Sequence, residues 1–94
     1  MGDAVVALPS RSALTAFVHR TLCEPDALSV EQTPLFETPI RRGGKAIGVL
    51  FHIEGPRRLS TSAVWAADDG RILFYDSTGT RCRAVRLSEG PVVG

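Results

Sequence analysis

The sequence predicts an α+β domain in which an N-terminal helix packs on a four- to five-stranded antiparallel β-meander. In the first quarter of the chain, apolar residues recur with the period of a helix, whereas from Leu35 onward short β-rich runs alternate with turn signals. The chain has 94 residues, of which 44% are hydrophobic. That is enough for one core, so we expect residues 1–94 to form a single domain.

Residues 1–9 are expected to form an N-terminal segment, and residues 10–23 the helix. Ser10 or Ser12 can supply the N-cap hydroxyl. The helix should end at Glu24, because a residue that precedes proline disfavours the helical conformation. Residues 25–32 are compatible with one or two further helical turns. The apolar stripe that predicts the helix consists of Leu14, Phe17, Val18, Thr21 and Leu22.

Residues 35–87 are predicted to form the meander. The pairs Gly43-Gly44 and Asp69-Gly70 suit tight hairpin turns, and connections this short leave only antiparallel neighbours. Pro39 has no amide hydrogen to donate, so the first strand is predicted at an edge of the sheet. Residues 89–94 are expected to be a loose tail. The predicted strands cover residues 35–42, 45–54, 59–67, 71–76 and 81–87.

Side-chain alternation predicts apolar residues on both faces of this sheet. The 14-residue helix is only about 20 Å long and can cover one face. Three explanations are open for the second face: a second copy of the chain packs on it, the sheet closes into a small barrel, or residues 4–8 cover it. We predict an interface there, formed by Leu50, Val64 and Leu73. The helix is expected on the other face, against Ile47, Val49, Phe51 and Trp65.

The basic residues suggest a second kind of partner. The net charge is +1, but residues 40–94 carry nine basic and five acidic side chains, and nearly all the bases are arginine. Arg41, Arg42, Arg81 and Arg83 are candidate binding residues for an anion or a nucleic acid. Arg81 and Arg83 are two positions apart, so they are expected to share a strand face. Arginine at sheet edges also discourages aggregation, which is the competing interpretation.

Few residues indicate catalysis. Cys23 and Cys82 could pair with His19 or His52 in a small hydrolase if the fold brought them together. Neither the cysteines nor the histidines have metal-ligand spacing, so no catalytic residue, metal or cofactor is predicted. The segment 76–80, Asp-Ser-Thr-Gly-Thr, resembles the phosphorylated Asp-Lys-Thr-Gly-Thr segment of P-type ATPases without its lysine. We predict a hairpin turn there.

The leading hypothesis is a non-catalytic binding or assembly module that forms a homodimer or binds another protein. The alternatives are an anion- or nucleic-acid-binding module and a Cys/His hydrolase. Two isolated cysteines and the lack of a signal-peptide pattern favour the cytoplasm. The sequence has no run of about 20 apolar residues, so no membrane partner is expected.

Overall fold

The protein, a computed structural model that describes residues 4–24, 27–54 and 60–91, has one α-helix and a single mixed sheet of six strands in those ranges. The predicted α+β class is therefore confirmed, but the predicted number of strands is too low. The elements in chain order are β1 (Ala4–Ala7), α1 (Arg11–Cys23), β2 (Leu35–Arg42), β3 (Lys45–Glu54), β4 (Ser60–Ala66), β5 (Arg71–Tyr75) and β6 (Arg81–Glu89).

Helix α1 begins where a side chain can cap it. The Ser10 hydroxyl accepts a hydrogen bond from the Ala13 amide at 3.1 Å, which satisfies one of the free amides of the first turn. Beyond the helix, residues 27–32 form turns, so the further helical turns expected there are absent from that stretch. Within the described ranges, no helix has the length and apolarity to cross a bilayer.

The extra strand comes from the N-terminal segment. The sheet order is β1-β6-β5-β4-β3-β2, and the last five strands form the predicted antiparallel meander. Strand β1 joins it by pairing in parallel with β6, where Ala4 lies beside Val85. Glu89, predicted as the start of the tail, belongs to β6, and its carbonyl accepts a bond from Leu8 N at 2.8 Å. Residues 92–94 of the predicted tail lie outside the described residues.

The sheet is open. Strands β1 and β2 form its two opposite edges, so the barrel closure considered above does not occur. Residues 4–7 extend the sheet sideways as β1, so they do not cover its second face. Pro39 lies in edge strand β2, as predicted.

The core lies between α1 and one face of the sheet, where the helix contacts β3 and β4. Phe17 meets Phe74 edge-on, with 6.4 Å between ring centroids. Ile47, predicted in this core, is only partly buried and lies outside the core cluster. The main buried residues are Leu14, Val18 and Leu22 of the helix and Val49, Phe51, Ile53, Ala63, Trp65, Ile72, Phe74 and Val85 of the sheet.

Candidate interaction surface

The sheet face opposite α1, which we call the open face, carries a continuous apolar row. Phe51 and Trp65 point toward the helix, so the adjacent residues on β3 and β4 point to the open face. In the strand register, Leu50 lies opposite Val64, and Val64 lies opposite Leu73. The three residues that the sequence suggested for an interface are therefore neighbours. This central row runs from β2 to β6 through Thr38, Leu50, Val64, Leu73 and Ala84.

The chain leaves this row partly exposed. Leu50, Val64 and Leu73 are half-buried, whereas Phe51 and Trp65 on the core side are 0% and 3% exposed. Among the described residues, all strands belong to this one sheet and the only α-helix lies on its other face. Neither α1 nor any strand of the described chain therefore crosses the open face, and the 3₁₀ helix Ala67–Asp69 forms the connection between β4 and β5.

Two further rows flank the central one, each two residues away along the strands, because every second residue of a strand is on the same face. One of them brings Arg71 and Arg86 opposite each other on β5 and β6. The other contains Phe36, which is 44% exposed and stacks on His52 with 4.9 Å between ring centroids. The first row consists of Ile40, Gly48, Ala66, Arg71, Arg86 and Val5, and the second of Phe36, His52, Ser62, Tyr75 and Arg81.

The structure places the four candidate binding arginines at two separate locations. Arg41 and Arg42 are next to the β2–β3 turn at one edge. Arg81 and Arg83 are at the start of β6, near the other end of the strands and four strand spacings, or about 19 Å, away. A register shift pairs Arg83 with Phe74 but Arg81 with the next residue, Tyr75. Because consecutive residues of a strand face opposite sides, the prediction that Arg81 and Arg83 share a face is wrong.

Sequence reasoning missed the pair formed by Arg71 and Arg86. The turn between β5 and β6, which helps to set the register between the two strands, was recognisable in the sequence. The bulge beside Tyr75 moves that register by one residue, and no sequence feature marked the bulge.

The two cysteines lie at different places in the fold, Cys23 at the end of α1 and Cys82 on β6. Cys23 is 2% exposed, and this burial raises the pKa of its thiol, while a hydrogen bond with Thr33 opposes the rise. His19 lies on the same helix, with Nε2 2.6 Å from the Thr33 carbonyl oxygen. His52 and Cys82 are on β3 and β6, which β4 and β5 separate by about 14 Å in total. The hydrolase hypothesis therefore gains no support from these residues.

Asp76 holds the turn between β5 and β6 together. One of its carboxylate oxygens accepts bonds from the amides of Thr78 at 2.9 Å and Thr80 at 3.1 Å, and from the Thr78 hydroxyl at 2.5 Å. These bonds lower the pKa of Asp76. Gly79 adopts a φ of 85°, as the turn requires. The arrangement is that of a hairpin turn, as predicted from the sequence, and it occupies the carboxylate.

A cleft of about 310 Å³ lies between the C-terminal end of α1 and strands β4, β5 and β6. Leu22 and Phe74 contribute apolar surface, while Glu24 and Arg83 bring opposite charges to it. The sequence did not indicate this cleft, because its walls come from distant segments. In the part of the chain that the structure describes, no three His, Cys, Asp or Glu side chains are grouped to hold a metal ion.

Comparison of the chain with known protein families, with curated proteins and with solved structures finds no match. Function therefore has to be argued from the surfaces. The cleft mixes charges of both signs and selects no particular ligand. The open face has an apolar central row, and its flanking rows combine apolar residues such as Ile40 and Phe36 with arginines. An apolar centre with polar groups toward the periphery is common in protein interfaces.

Proposed function

We propose that the protein is a non-catalytic assembly module that forms a homodimer through its open face. The observation that carries this proposal is the row formed by Leu50, Val64 and Leu73, which lies at the centre of a sheet face that the described chain leaves uncovered. Contiguous exposed apolar patches of several hundred Å² are uncommon on monomers and mark interaction sites.

The size of the face fits one partner copy. Six strands at a spacing of about 4.8 Å span about 29 Å, and an average strand of about seven residues is about 24 Å long. The projected area is therefore about 700 Å², close to the roughly 800 Å² that each partner buries in a standard interface. The net charge of +1 adds little repulsion between two copies.

The test is sedimentation velocity over a concentration series, with wild type compared with Val64→Glu. We expect wild type to sediment as a dimer in the micromolar range. Glutamate at position 64 would be buried in the interface without a counter-charge, at a cost of several kcal/mol. We therefore expect the dissociation constant to rise at least about 100-fold, and the variant to sediment as a monomer.

Ala16→Glu is the matched control, because Ala16 is exposed on α1, on the other side of the molecule. This variant should remain a dimer, and far-UV circular dichroism should show both variants folded. A wild-type chain that stays monomeric at high micromolar concentration would refute the proposal, and so would a Val64→Glu variant as dimeric as wild type.

A second candidate function, binding of an anionic polymer such as a nucleic acid, is favoured by one observation. Arg71 and Arg86 lie opposite each other on the open face, which also carries the stacked rings of Phe36 and His52, on which bases could stack. Affinity for a single-stranded oligonucleotide would then fall steeply with salt.

Replacing both arginines by glutamine should reduce the salt slope by about 1.4, since each phosphate contact to a single strand contributes about 0.7. Arg41→Gln with Arg42→Gln, at the β2–β3 turn, is the control. A salt slope that Arg71→Gln with Arg86→Gln leaves unchanged would remove this candidate.

A further inference from the structure

We infer that the two copies pack open face to open face around a twofold axis that runs along β4 and passes beside Val64. This inference rests on the homodimer proposed above and specifies its geometry. In this arrangement, β3 of one copy lies over β5 of the other, and β2 lies over β6. The overlap therefore comprises β2 to β6, and β1 lies outside it, beyond β2 of the other copy.

The central row is nearly symmetric about Val64. Its order across the sheet is Thr38, Leu50, Val64, Leu73, Ala84, which is nearly the same in both directions. Valine is at the centre, leucine stands on each side, and a small residue stands at each end. A twofold axis at the central valine therefore stacks leucine on leucine and small residues on small residues. A twofold interface requires a patch that complements itself in this way.

Charge also favours this axis. Within the three rows of the open face, the basic side chains Arg71, Arg81 and Arg86 are all on β5 and β6, where Arg71 and Arg86 form a pair. An axis along β4 places these arginines over β3 and β2 of the other copy, where the same row contains Gly48 and Ile40. Like charges are then kept apart. An axis perpendicular to the strands would instead stack β6 on β6 and bring Arg86 over Arg81 of the second copy.

The exposed ring of Phe36 also fits this axis. The axis brings the Arg81 side chain of the second copy over the outward edge of the Phe36 ring, whose face is stacked on His52. The aliphatic stem of arginine packs on apolar surface of this kind while its charged head stays in water. Stacked sheets cross at about 30°. The outermost matched strands of the two copies are therefore displaced by about 5 Å relative to each other along their length, whereas Val64 at the centre of the row stays on the axis.

Cysteine crosslinking distinguishes the possible axes. In a Cys82→Ser background, which removes the exposed thiol, Thr38→Cys and Ala84→Cys are made as separate proteins. Packed sheets are about 10 Å apart, so position 38 of one copy lies about 11 Å from position 84 of the other. The two copies of position 38 are about 22 Å apart, because four strand spacings, about 19 Å, separate them across the sheets in addition to the roughly 10 Å between the sheets. The reagent is a bismaleimide with a reach close to the sheet spacing.

We expect the mixture of the two proteins to give at least tenfold more crosslinked dimer than either protein alone. Val64→Cys, on the axis, should crosslink with itself. Efficient crosslinking of Thr38→Cys alone would overturn the inferred axis while leaving the homodimer intact. A dimer in sedimentation that gives no crosslink in the mixture would also overturn it. A monomer in sedimentation would refute the proposed homodimer instead, including a monomer that binds an oligonucleotide.

If Thr38→Cys or Ala84→Cys does not fold, as judged by circular dichroism, Leu50→Cys and Leu73→Cys replace them. These positions form the next matched pair of the central row. The geometry again predicts that the mixture crosslinks more efficiently than either protein alone, and equal crosslinking in all three samples contradicts it.

Discussion

Gly48 permits a close approach of β3 and β4 that no other residue would allow. A Cβ atom built at Gly48 would lie 2.1 Å from the Trp65 carbonyl oxygen and 3.2 Å from its carbonyl carbon. Both strands are central and the Trp65 side chain is 3% exposed, so the neighbourhood has little room to adjust. Restoring ordinary contact would require the two backbones to separate by about 1 Å.

We therefore expect Gly48→Ala to destabilise the fold by about 2–3 kcal/mol. Overpacking costs about 1–3 kcal/mol, and a weakened ladder hydrogen bond about 0.5–1.5 kcal/mol. The reduced freedom of the unfolded chain returns only about 0.4–1 kcal/mol. For a chain of this length, 1 kcal/mol corresponds to about 4–8 °C, so the Tm should fall by about 10–20 °C.

The assay is thermal unfolding followed by far-UV circular dichroism, at one fixed protein concentration because dimerisation also stabilises the fold. Gly90→Ala is the control. Its added Cβ would meet only the flexible end of the Leu87 side chain, at 3.2 Å, and the Tm should barely change. If Gly48→Ala melts within about 2 °C of wild type, the close approach of the two strands is not a constraint and the reasoning fails.

Two further predictions concern ionisable groups. The lowered pKa of Asp76 means that its ionised form stabilises the fold above the unfolded pKa of about 3.9, and that this contribution is lost as the pH falls through the lower folded value. In thermal melts over a pH series, Asp76→Asn should therefore differ most from wild type at neutral pH, and the difference should shrink as the pH falls below the unfolded pKa of about 3.9; a constant difference would contradict the assignment. In a maleimide titration at neutral pH, exposed Cys82 should react in the native protein, whereas Cys23, buried and with a raised pKa, should react only after unfolding. Rapid native labelling of Cys23 would count against its burial.

Local patterns explain most of what the sequence could predict. The boundaries of β2 and β3 match the predicted ranges, because Gly43-Gly44 and the period-two alternation define both strands. The N-cap at Ser10 was visible for the same reason. What the sequence could not predict depends on contacts between distant residues. Strand β1 has four residues and pairs with the last strand of the sheet, so nothing near it in the sequence indicates its partner.

The candidate surface was likewise predictable from the sequence only in part. Alternation alone placed Leu50, Val64 and Leu73 on the second face, and pairing then aligned them in one row. The arginines behaved differently, because a single bulge in the β5–β6 pairing changes which face a residue occupies. This bulge moves the register of β6 by one residue. It puts Arg81 and Arg83 on opposite faces and brings Arg86 opposite Arg71. Registers are set by packing and turn geometry together, which one sequence only partly reveals.

The parallel pairing of β1 with β6 also determines the order in which the sheet assembles. The Ser88 hydroxyl donates to the Val6 carbonyl across 82 positions of the chain, whereas β2–β3 and β5–β6 close through turns of a few residues. Closing the longer loop costs about 2.5 kcal/mol more chain entropy than closing a hairpin of about five residues. We therefore expect the meander to form first during folding and β1 to dock last. By the same reasoning we expect β1 to be the first strand to detach, which would uncover the edge of β6 to pairing with a strand from another molecule.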